Sequence, residues 1–274
     1  MQDRTFGFPP SSIALEVSPV RFGEGPSAAI MRDVAVETPV NIVFGNIPYA
    51  VMMASPSDLE DFVTGFSLTE GIIRRPDEIR GVAVAPQEDG VVVTIDLAPG
   101  RFREHLARRR NLSGRTSCGL CGVETMEELP MACEATASRP PIAVASLRKA
   151  LDALDDHQPL NRDTRSVHAA AWCDRSGNIL AAREDVGRHN ALDKLIGARL
   201  REIGEAGDGF VLVTSRASFE MVEKTAIFGA PMLATISAPT SLAVERARKL
   251  GLTLASFARA GGCTVFAGAL APET

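Results

Sequence analysis

Two cysteines separated by two residues, Cys118 and Cys121, form the most reactive pattern in this sequence, and a glycine follows each of them. The stretch from residue 101 to residue 121 contains six arginines and a single acidic residue, Glu104. Nearby cations favour the thiolate over the thiol, and the thiolate is both the nucleophile and the metal ligand. Such a pair can hold a metal ion, act as a redox couple or carry sulfur.

Two of these three interpretations have weak support in the sequence. A structural zinc site needs four ligands, and no second Cys-x-x-Cys is present; the nearest candidates are Cys133 and His105. A thioredoxin-like couple follows a strand and opens a helix, whereas Cys118 and Cys121 are predicted to lie in a loop between two halves of the chain. The residues alone leave all three interpretations open.

A second polar cluster, Glu184–Asn190, reads Glu-Asp-Val-Gly-Arg-His-Asn where a predicted strand gives way to a predicted helix. Polar functional groups gather at such places in α/β proteins, and paired carboxylates there can orient a proton carrier or a cation. The structural alternative is a capped helix with an ion pair between Asp185 and Arg188. His168, within an apolar strand, is either a hydrogen-bonded core histidine or a ligand.

Two further motifs follow predicted strands. Thr214–Ser218 offers hydroxyl groups, backbone N–H groups at a helix start and the Arg216 guanidinium, which together suit a phosphate. In Phe257–Gly262 the glycines permit close approach of a ligand to the backbone, and Arg259 can pair with a phosphate. A helix cap and a loop are the alternatives. Together the motifs indicate an anionic, nucleotide-like ligand across the strand ends.

The elements that must position these residues change character along the chain. The first half alternates predicted strands with one helix, for which Ser57 and Glu60 supply a capping box, and indicates a small α+β domain. In the second half, strands alternate with helices, which predicts a layered α/β domain with parallel pairing. We predict four segments: a poorly ordered tail over 1–28, an α+β domain over 29–110, a loop and linker over 111–145, and an α/β domain over 146–274.

Composition narrows the function classes. The net charge of −5 argues against a general nucleic-acid binder. The longest uncharged run, residues 225–244, contains two prolines and does not suit a membrane span. No secretory signal is recognised, and five cysteines is an odd number, so we expect free thiols in a reducing cytoplasm. Neither a nucleic acid nor a membrane is expected as a partner.

Four motifs in this order resemble the formate dehydrogenase accessory sulfurtransferases, and the similarity extends from about residue 39 to residue 267. They are Ser117–Gly122, His168–Ala170, Glu184–Lys194 and Ser215–Val222. The resemblance implies a cytoplasmic homodimer with a small N-terminal domain and a C-terminal domain of the cytidine-deaminase-like fold. A zinc deaminase itself is excluded, because His168 is followed by two alanines and no Pro-Cys-x-x-Cys occurs.

The resemblance also implies a reaction. The protein accepts sulfur from a cysteine desulfurase as a persulfide on Cys118, with Cys121 assisting. It passes the sulfur to the bis(molybdopterin guanine dinucleotide) molybdenum cofactor destined for the formate dehydrogenase apoenzyme, and GDP is a possible mimic of that cofactor. No metal ligands are assigned. Taken with the anion-binding motifs, the candidate cofactor contacts are Phe257, Ala258, Arg259, Ala260, Gly261, Gly262, Ser215, Arg216, Ser218, His168 and His189.

The chain departs from the family pattern at Arg165, where many members have glycine, and Arg165 offers a further phosphate contact. A second function stays open. The chain can be a non-catalytic molybdenum-cofactor chaperone whose cysteine pair serves docking or binds zinc.

Overall fold

The computed structural model describes residues 7–110, 132, 139–259 and 261–272. The predicted site residues Cys118, Cys121 and Ala260 lie outside the described residues.

The N-terminal region forms two small antiparallel pairs. Strand β1 (Ser12–Val17) pairs with β4 (Ile30–Ala35), and the short β2 (Val20–Arg21) pairs with β3 (Gly25–Pro26) between them. This differs from the predicted tail over residues 1–28. In β1 the apolar residues Ile13, Leu15 and Val17 alternate with the period of a strand, and β1 and β4 supply each other's backbone hydrogen-bond partners.

A four-stranded sheet follows, in the order β6-β5-β8-β7, built from β5 (Thr38–Phe44), β6 (Ile47–Ala54), β7 (Ile79–Gln87) and β8 (Gly90–Leu97). Strands β5 and β8 are parallel, and the other two pairings are antiparallel. Helix α1 (Leu59–Thr69) lies in the connection from β6 to β7, and α2 (Pro99–Arg110) follows β8.

The second half contains a six-stranded sheet in the order β10-β9-β11-β12-β13-β14. Its strands are β9 (His168–Asp174), β10 (Ile179–Asp185), β11 (Gly209–Val213), β12 (Met232–Thr235), β13 (Thr253–Arg259) and β14 (Gly262–Ala267). Its helices are α3 (Val144–Ala153), α4 (Pro159–Thr164), α5 (Arg188–Ile203), α6 (Phe219–Phe228) and α7 (Ser241–Leu250). Parallel pairing, predicted for this half, holds for β11, β12 and β13, and the other three pairings are antiparallel.

Helices cover both faces of this sheet. Leu147 and Leu154 pack on one face with Phe210 and Leu212, whereas residues of α5, α6 and α7 pack on the other with Trp172. The apolar residues on the α5, α6 and α7 side are continuous with the buried face of the four-stranded sheet, so the two sheets share one hydrophobic core. No described helix has the length and apolar character needed to cross a membrane.

The two halves meet where α1 crosses α5. A Cβ atom on Gly65 would lie 1.9 Å from the Asp193 carbonyl oxygen, and one on Gly197 would lie 1.8 Å from the Asp61 carbonyl oxygen. Real Cβ atoms never approach so closely, so this crossing requires glycine on both helices.

The predicted capping box at the start of α1 is wrong. The N-cap is Asp58, with a left-handed φ of 54°, and no side chain caps the helix. Glu60 instead pairs with Arg201 of α5, while Asp61 contacts both Arg201 and Arg183. These acidic residues therefore join the two halves of the molecule.

Candidate functional site

The topology brings the described motif residues to one edge of the six-stranded sheet. The end of β10 and the start of β9 are paired there, with Asp185 opposite His168. Strand β9 is antiparallel to β11, and β11 to β13 are parallel, so the ends of β11 and β13 lie at the same edge. Residues 237–239 connect the two ends. Ala217 N–H donates to the Ala238 oxygen at 3.2 Å, and Phe257 N–H donates to the Ser237 oxygen at 3.1 Å.

Asp185 is fully buried, and both of its carboxylate oxygens are occupied. Oδ1 accepts from Gly187 N at 2.8 Å and from Asn190 Nδ2 at 3.0 Å. Oδ2 accepts from Ser55 N at 2.9 Å and lies 2.7 Å from Lys194 Nζ. Asp185 therefore fixes the β10–α5 turn to the end of β6, and its ion-pair partner is Lys194 rather than the predicted Arg188.

Glu184 also has a structural role. Its carboxylate accepts hydrogen bonds from Leu160 N at 2.9 Å and Asn161 N at 2.7 Å, in the first turn of α4. Burial raises the pKa of Glu184, although the two backbone donors oppose this change. The carboxylate caps α4 in the way an N-cap side chain does.

The other end of α4 has, at Arg165, a backbone conformation that favours glycine. Arg165 follows the helix with a left-handed φ of 55°, and its N–H donates to the Asn161 oxygen at 2.9 Å. Glycine adopts this conformation without steric cost, whereas a residue with a Cβ atom loses about 1–2 kcal/mol. The chain keeps the turn geometry without the glycine.

His189 and Glu220 bring α5 and α6 together at the edge. His189 Nε2 lies 2.5 Å from Glu220 Oε2, so the imidazole and the carboxylate are direct partners. The interaction with His189, with smaller contributions from Lys224 and Arg188, lowers the pKa of Glu220 against the effect of burial. Glu220 is therefore ionised and faces a group of cations and donors.

Two polar atoms of this edge are buried without a partner in the described part of the chain, Arg188 Nε and Ser218 Oγ, whereas His189 Nε2 faces the Glu220 carboxylate. Ser218 is the N-cap of the ten-residue helix α6, yet its side chain makes no capping bond. Buried donors left unpaired are costly, and a helix N-terminus attracts negative charge. The arrangement is suited to an anionic group that accepts hydrogen bonds.

His168 lies beside this group at the start of β9. Burial, and then the charges of Arg188 and His189, lower the pKa of His168, while Asp185 opposes the shift. The next residue along, Ala169, donates its N–H to Thr214 Oγ1 at 2.9 Å, which ties the start of β9 to the end of β11. His168 is therefore neutral near pH 7, able both to donate and to accept a hydrogen bond.

Of the remaining predicted contact residues, some have buried side chains and others have side chains exposed to solvent. Ser215 is buried and its hydroxyl bonds to the Arg216 carbonyl oxygen, whereas the Arg216 side chain is exposed. Ala258 is fully buried, so its side chain is unavailable to a ligand. Phe257 is 45% exposed, with a left-handed φ of 55° in a non-glycine residue. Such backbone strain is typical of functional positions.

Arg259, Gly261 and Gly262 are exposed on the same β13–β14 turn. A Cβ atom added to either glycine would meet nothing within 4 Å, so there is open space above the backbone.

Sequence reasoning missed Glu220 and Lys194 as partners within this edge. Lys194 gave a usable signal, because it lies among Ala191, Leu192 and Leu195 in the predicted apolar stripe of α5. A lysine on a buried helix face needs a carboxylate partner. Glu220 gave no comparable signal, since its partner is 31 residues away in sequence.

The fold and this edge define a mixed α/β protein with a cluster of polar side chains at one end of its larger sheet. Residues 35–271 match the family model described as FdhD/NarQ. The chain is 49% identical over 242 residues to a sulfur carrier protein FdhD of Xanthomonas euvesicatoria pv. vesicatoria, covering 88% of this chain and 86% of that protein.

A sulfur carrier protein FdhD of Bordetella petrii is 45% identical over 240 residues, covering 87% and 86% of the two chains. The crystal structure of a candidate formate dehydrogenase accessory protein from Desulfotalea psychrophila superimposes with a TM-score of 0.75 at 27% identity, covering 94% of this chain and 98% of that one. This chain belongs to the FdhD/NarQ family, which confirms the family resemblance predicted from the motifs.

The environment of His168 generates a prediction. We expect its pKa to lie below the ordinary value of 6.5, and we expect Arg188→Gln to raise it, because one of the cations that oppose protonation is removed. NMR titration of the imidazole signals measures both values. The exposed Arg21→Gln is the matched control and should leave the His168 titration unchanged.

The lowered pKa of His168 also determines how the stability of the protein changes with pH. Because the folded-state pKa is lowered, the unfolded chain takes up the proton first, and the contribution of His168 to stability declines as the pH falls through about 6.5. A native His168 that titrates at or above 6.5 would contradict the proposed environment.

Proposed function

We propose that this chain is a cytoplasmic sulfurtransferase that carries sulfur from a cysteine desulfurase to the bis(molybdopterin guanine dinucleotide) molybdenum cofactor of a formate dehydrogenase. The observation that carries the proposal is the Cys118–Cys121 pair in a chain 45–49% identical to proteins named as sulfur carriers. The Cys118 thiolate attacks the terminal sulfur of the desulfurase persulfide. The S–S bond breaks, the desulfurase thiolate leaves, and Cys118 holds the persulfide.

The described cysteines support Cys118 as the carrier. Burial, with a smaller contribution from Asp174, raises the pKa of Cys173 far above the ordinary range, and burial also raises the pKa of Cys263. Both thiols therefore stay protonated at neutral pH and are poor nucleophiles. Cys118, in contrast, follows an arginine-rich stretch that favours a thiolate.

We propose that the guanine dinucleotide part of the cofactor binds at the polar edge of the six-stranded sheet, called here the strand-end cluster. The molybdenum of the same cofactor accepts the sulfur. Its phosphates are acceptors of the kind that the unpaired Arg188 Nε and Ser218 Oγ require. Arg216 and Arg259 add exposed cations, and the exposed ring of Phe257 offers a face for a base. His168 and His189 complete the edge. The open space above Gly261 and Gly262 admits a ligand against the backbone.

We also propose that residues 29–110 and 146–274 are two domains, the second with the cytidine-deaminase-like fold. Two separate sheets support this division. The second sheet is mixed, with helices on both faces, as the proposed fold requires.

The assignment of Cys118 predicts a loss of sulfur transfer. After incubation with a cysteine desulfurase and cysteine, the wild-type protein should gain about 32 Da, the mass of one sulfur atom, in a form that reduction removes. Cys118→Ala should lose this adduct and the ability to activate formate dehydrogenase, whereas Cys121→Ala should retain part of both. Intact mass spectrometry and enzyme activation measure the two effects.

Cys263→Ala is the matched control for removal of a thiol and should behave as wild type. Undiminished transfer by Cys118→Ala would overturn the assignment. Tightly bound zinc without any sulfur adduct would instead favour the cofactor chaperone.

The proposed phosphate contacts predict a loss of GDP affinity. Arg259→Ala should weaken GDP binding about tenfold, or ~1.4 kcal/mol, because a charged donor is removed from an anionic ligand. Isothermal titration calorimetry measures this change. Lys249→Ala removes an equally exposed cation from the middle of α7's last turn and should leave the affinity unchanged. Equal weakening by both variants would indicate general charge attraction rather than a contact.

We further propose that the protein is a homodimer joined through the β1–β4 hairpin. Ile13, Leu15, Ile30 and Val34 are each more than a third exposed although they are apolar, and they share one face of the hairpin with a single charged residue, Arg32. A two-stranded hairpin is marginally stable by itself and gains stability when an apolar face is covered. The hairpin carries both acidic and basic residues, so two copies meet without strong repulsion.

This interface predicts an effect of a single charge on oligomeric state. Ile13→Glu should convert the dimer to a monomer, because a carboxylate then lies opposite the apolar Val34 on the face proposed to be covered. Ala14→Lys introduces a charge on the other face, opposite Asp33, and should leave the dimer intact. Size-exclusion chromatography with light scattering measures the mass. A monomeric wild-type protein would overturn the interface.

A further inference from the structure

The N-termini of two helices meet at the polar edge of the six-stranded sheet, and a carboxylate lies between them. Arg188 and His189 are the first two residues of α5, and Glu220 is the second residue of α6. His189 Nε2 lies 2.5 Å from Glu220 Oε2, so a carboxylate of one helix contacts the start of the other. Each helix N-terminus carries partial positive charge, and the two ends share this one anionic side chain.

Glu220 is also next to the donors proposed for the phosphates. Ser218, whose buried hydroxyl has no partner in the described part of the chain, precedes Glu220 by two residues at the N-cap of α6. The buried Nε of Arg188 likewise has no partner among the described residues, and the charge of Arg188 contributes to the lowered pKa of Glu220. Since Arg188 and Glu220 interact electrostatically, a phosphate bound to Arg188 also lies within range of the carboxylate.

Glu220 differs from the two carboxylates that stabilise this edge. Asp185 and Glu184 are buried, and each accepts hydrogen bonds from two backbone N–H groups. The Glu220 side chain is 28% exposed, and its partner, the His189 ring, is 30% exposed. A pair with this exposure to solvent contributes little to stability. The carboxylate is therefore better explained by its effect on a ligand than by a structural role.

We propose that Glu220 is a repulsive residue that limits how tightly the strand-end cluster holds a phosphate-bearing ligand, and that the limit grows with the negative charge of the ligand. This inference rests on the proposed function. A carrier that passes a cofactor to another protein has to release it, whereas two helix N-termini with unpaired donors would by themselves retain an anion strongly. Specificity commonly combines attractive groups with a repulsive one of this kind.

The test removes the charge and varies the charge of the ligand. Glu220→Gln keeps the size of the side chain and a polar partner for His189 but loses the negative charge. We expect this variant to bind GDP about fivefold more tightly than the wild type, to gain less for GMP, and to gain nothing for guanosine, which has no phosphate. Isothermal titration calorimetry with the three ligands measures these affinities. A structural effect of the substitution would change all three alike.

Glu205→Gln is the matched control, because it removes the same negative charge elsewhere. Glu205 is exposed just beyond the end of α5, 16 residues after His189. An α-helix rises about 1.5 Å per residue, so ~24 Å separates the two positions, which is roughly three times the Debye length at physiological ionic strength. This variant should leave the affinity for every ligand unchanged.

The contact with His189 requires one further comparison, because loss of the Glu220 charge also changes the surroundings of the imidazole. The double variant His189→Asn/Glu220→Gln is therefore compared with His189→Asn, since the imidazole is absent from both. Tighter GDP binding by the double variant would identify direct repulsion between the carboxylate and the phosphates. Equal GDP binding by these two variants would overturn the proposal.

The remaining outcomes separate the repulsive role from the proposed function. Arg188→Gln should weaken GDP binding, because it removes a charged donor. A wild-type protein that fails to bind GDP, or binds it no better than Arg188→Gln does, would overturn the proposed cofactor site and the repulsive role with it. GDP binding that depends on Arg188 but gains nothing from Glu220→Gln, or gains as much for guanosine as for GDP, would overturn the repulsive role alone.

Discussion

Helices α1 and α5 cross at Gly65 and Gly197, where each helix backbone fills the space that a side chain would need on the other. Beside this crossing, Lys224 of α6 is buried with its ammonium 2.8 Å from Asp193 Oδ2 and 2.8 Å from Thr69 Oγ1. Burial lowers the pKa of Lys224, but the Asp193 and Glu70 carboxylates outweigh it and raise the pKa overall. One charged group thus joins α1, α5 and α6.

The candidate site depends on this crossing because its donors lie on the same helices. Arg188 and His189 are in the first turn of α5, and Glu220 is in the first turn of α6. Asp193 and Lys194, one to two turns further along α5, are buried and hold that helix to α6 and to the end of β6. A single motif therefore combines residues that fix the helix with residues left to meet a ligand. Removing the buried partners Asp193 and Lys194 would move Arg188 and His189.

Local sequence patterns predicted many of the helices and strands, but they did not predict which side chains pair across the fold. The alternation of strands and helices predicted the layered second half, and the ends of β11 and β13, which carry two of the predicted motifs, lie at the same edge of the sheet. Ser57 and Glu60 have the spacing of a capping box, yet Glu60 pairs with Arg201, 141 residues away. The spacing of residues in the sequence indicates only which side chains are neighbours on the same helix or strand. It therefore cannot tell whether a carboxylate caps its own helix or pairs with a distant residue.

The same limit applies to β1, whose strand character depends on its partner β4. The sequence around Glu223 likewise gives no indication of the partners of this residue. On sequence grounds it is one more polar position of α6, and only the fold brings it to Arg246 and Ala132.

The thiols in the described part of the chain are poorly suited to nucleophilic attack. Cys173 and Cys263 belong to the six-stranded sheet, and burial suppresses the nucleophilicity of both. The sheet edge presents donors fixed by buried ion pairs, which suits recognition of a large anion but offers no activated thiol. For the sulfur-carrier function proposed above, the reacting thiol is therefore expected at Cys118 and not in the six-stranded sheet.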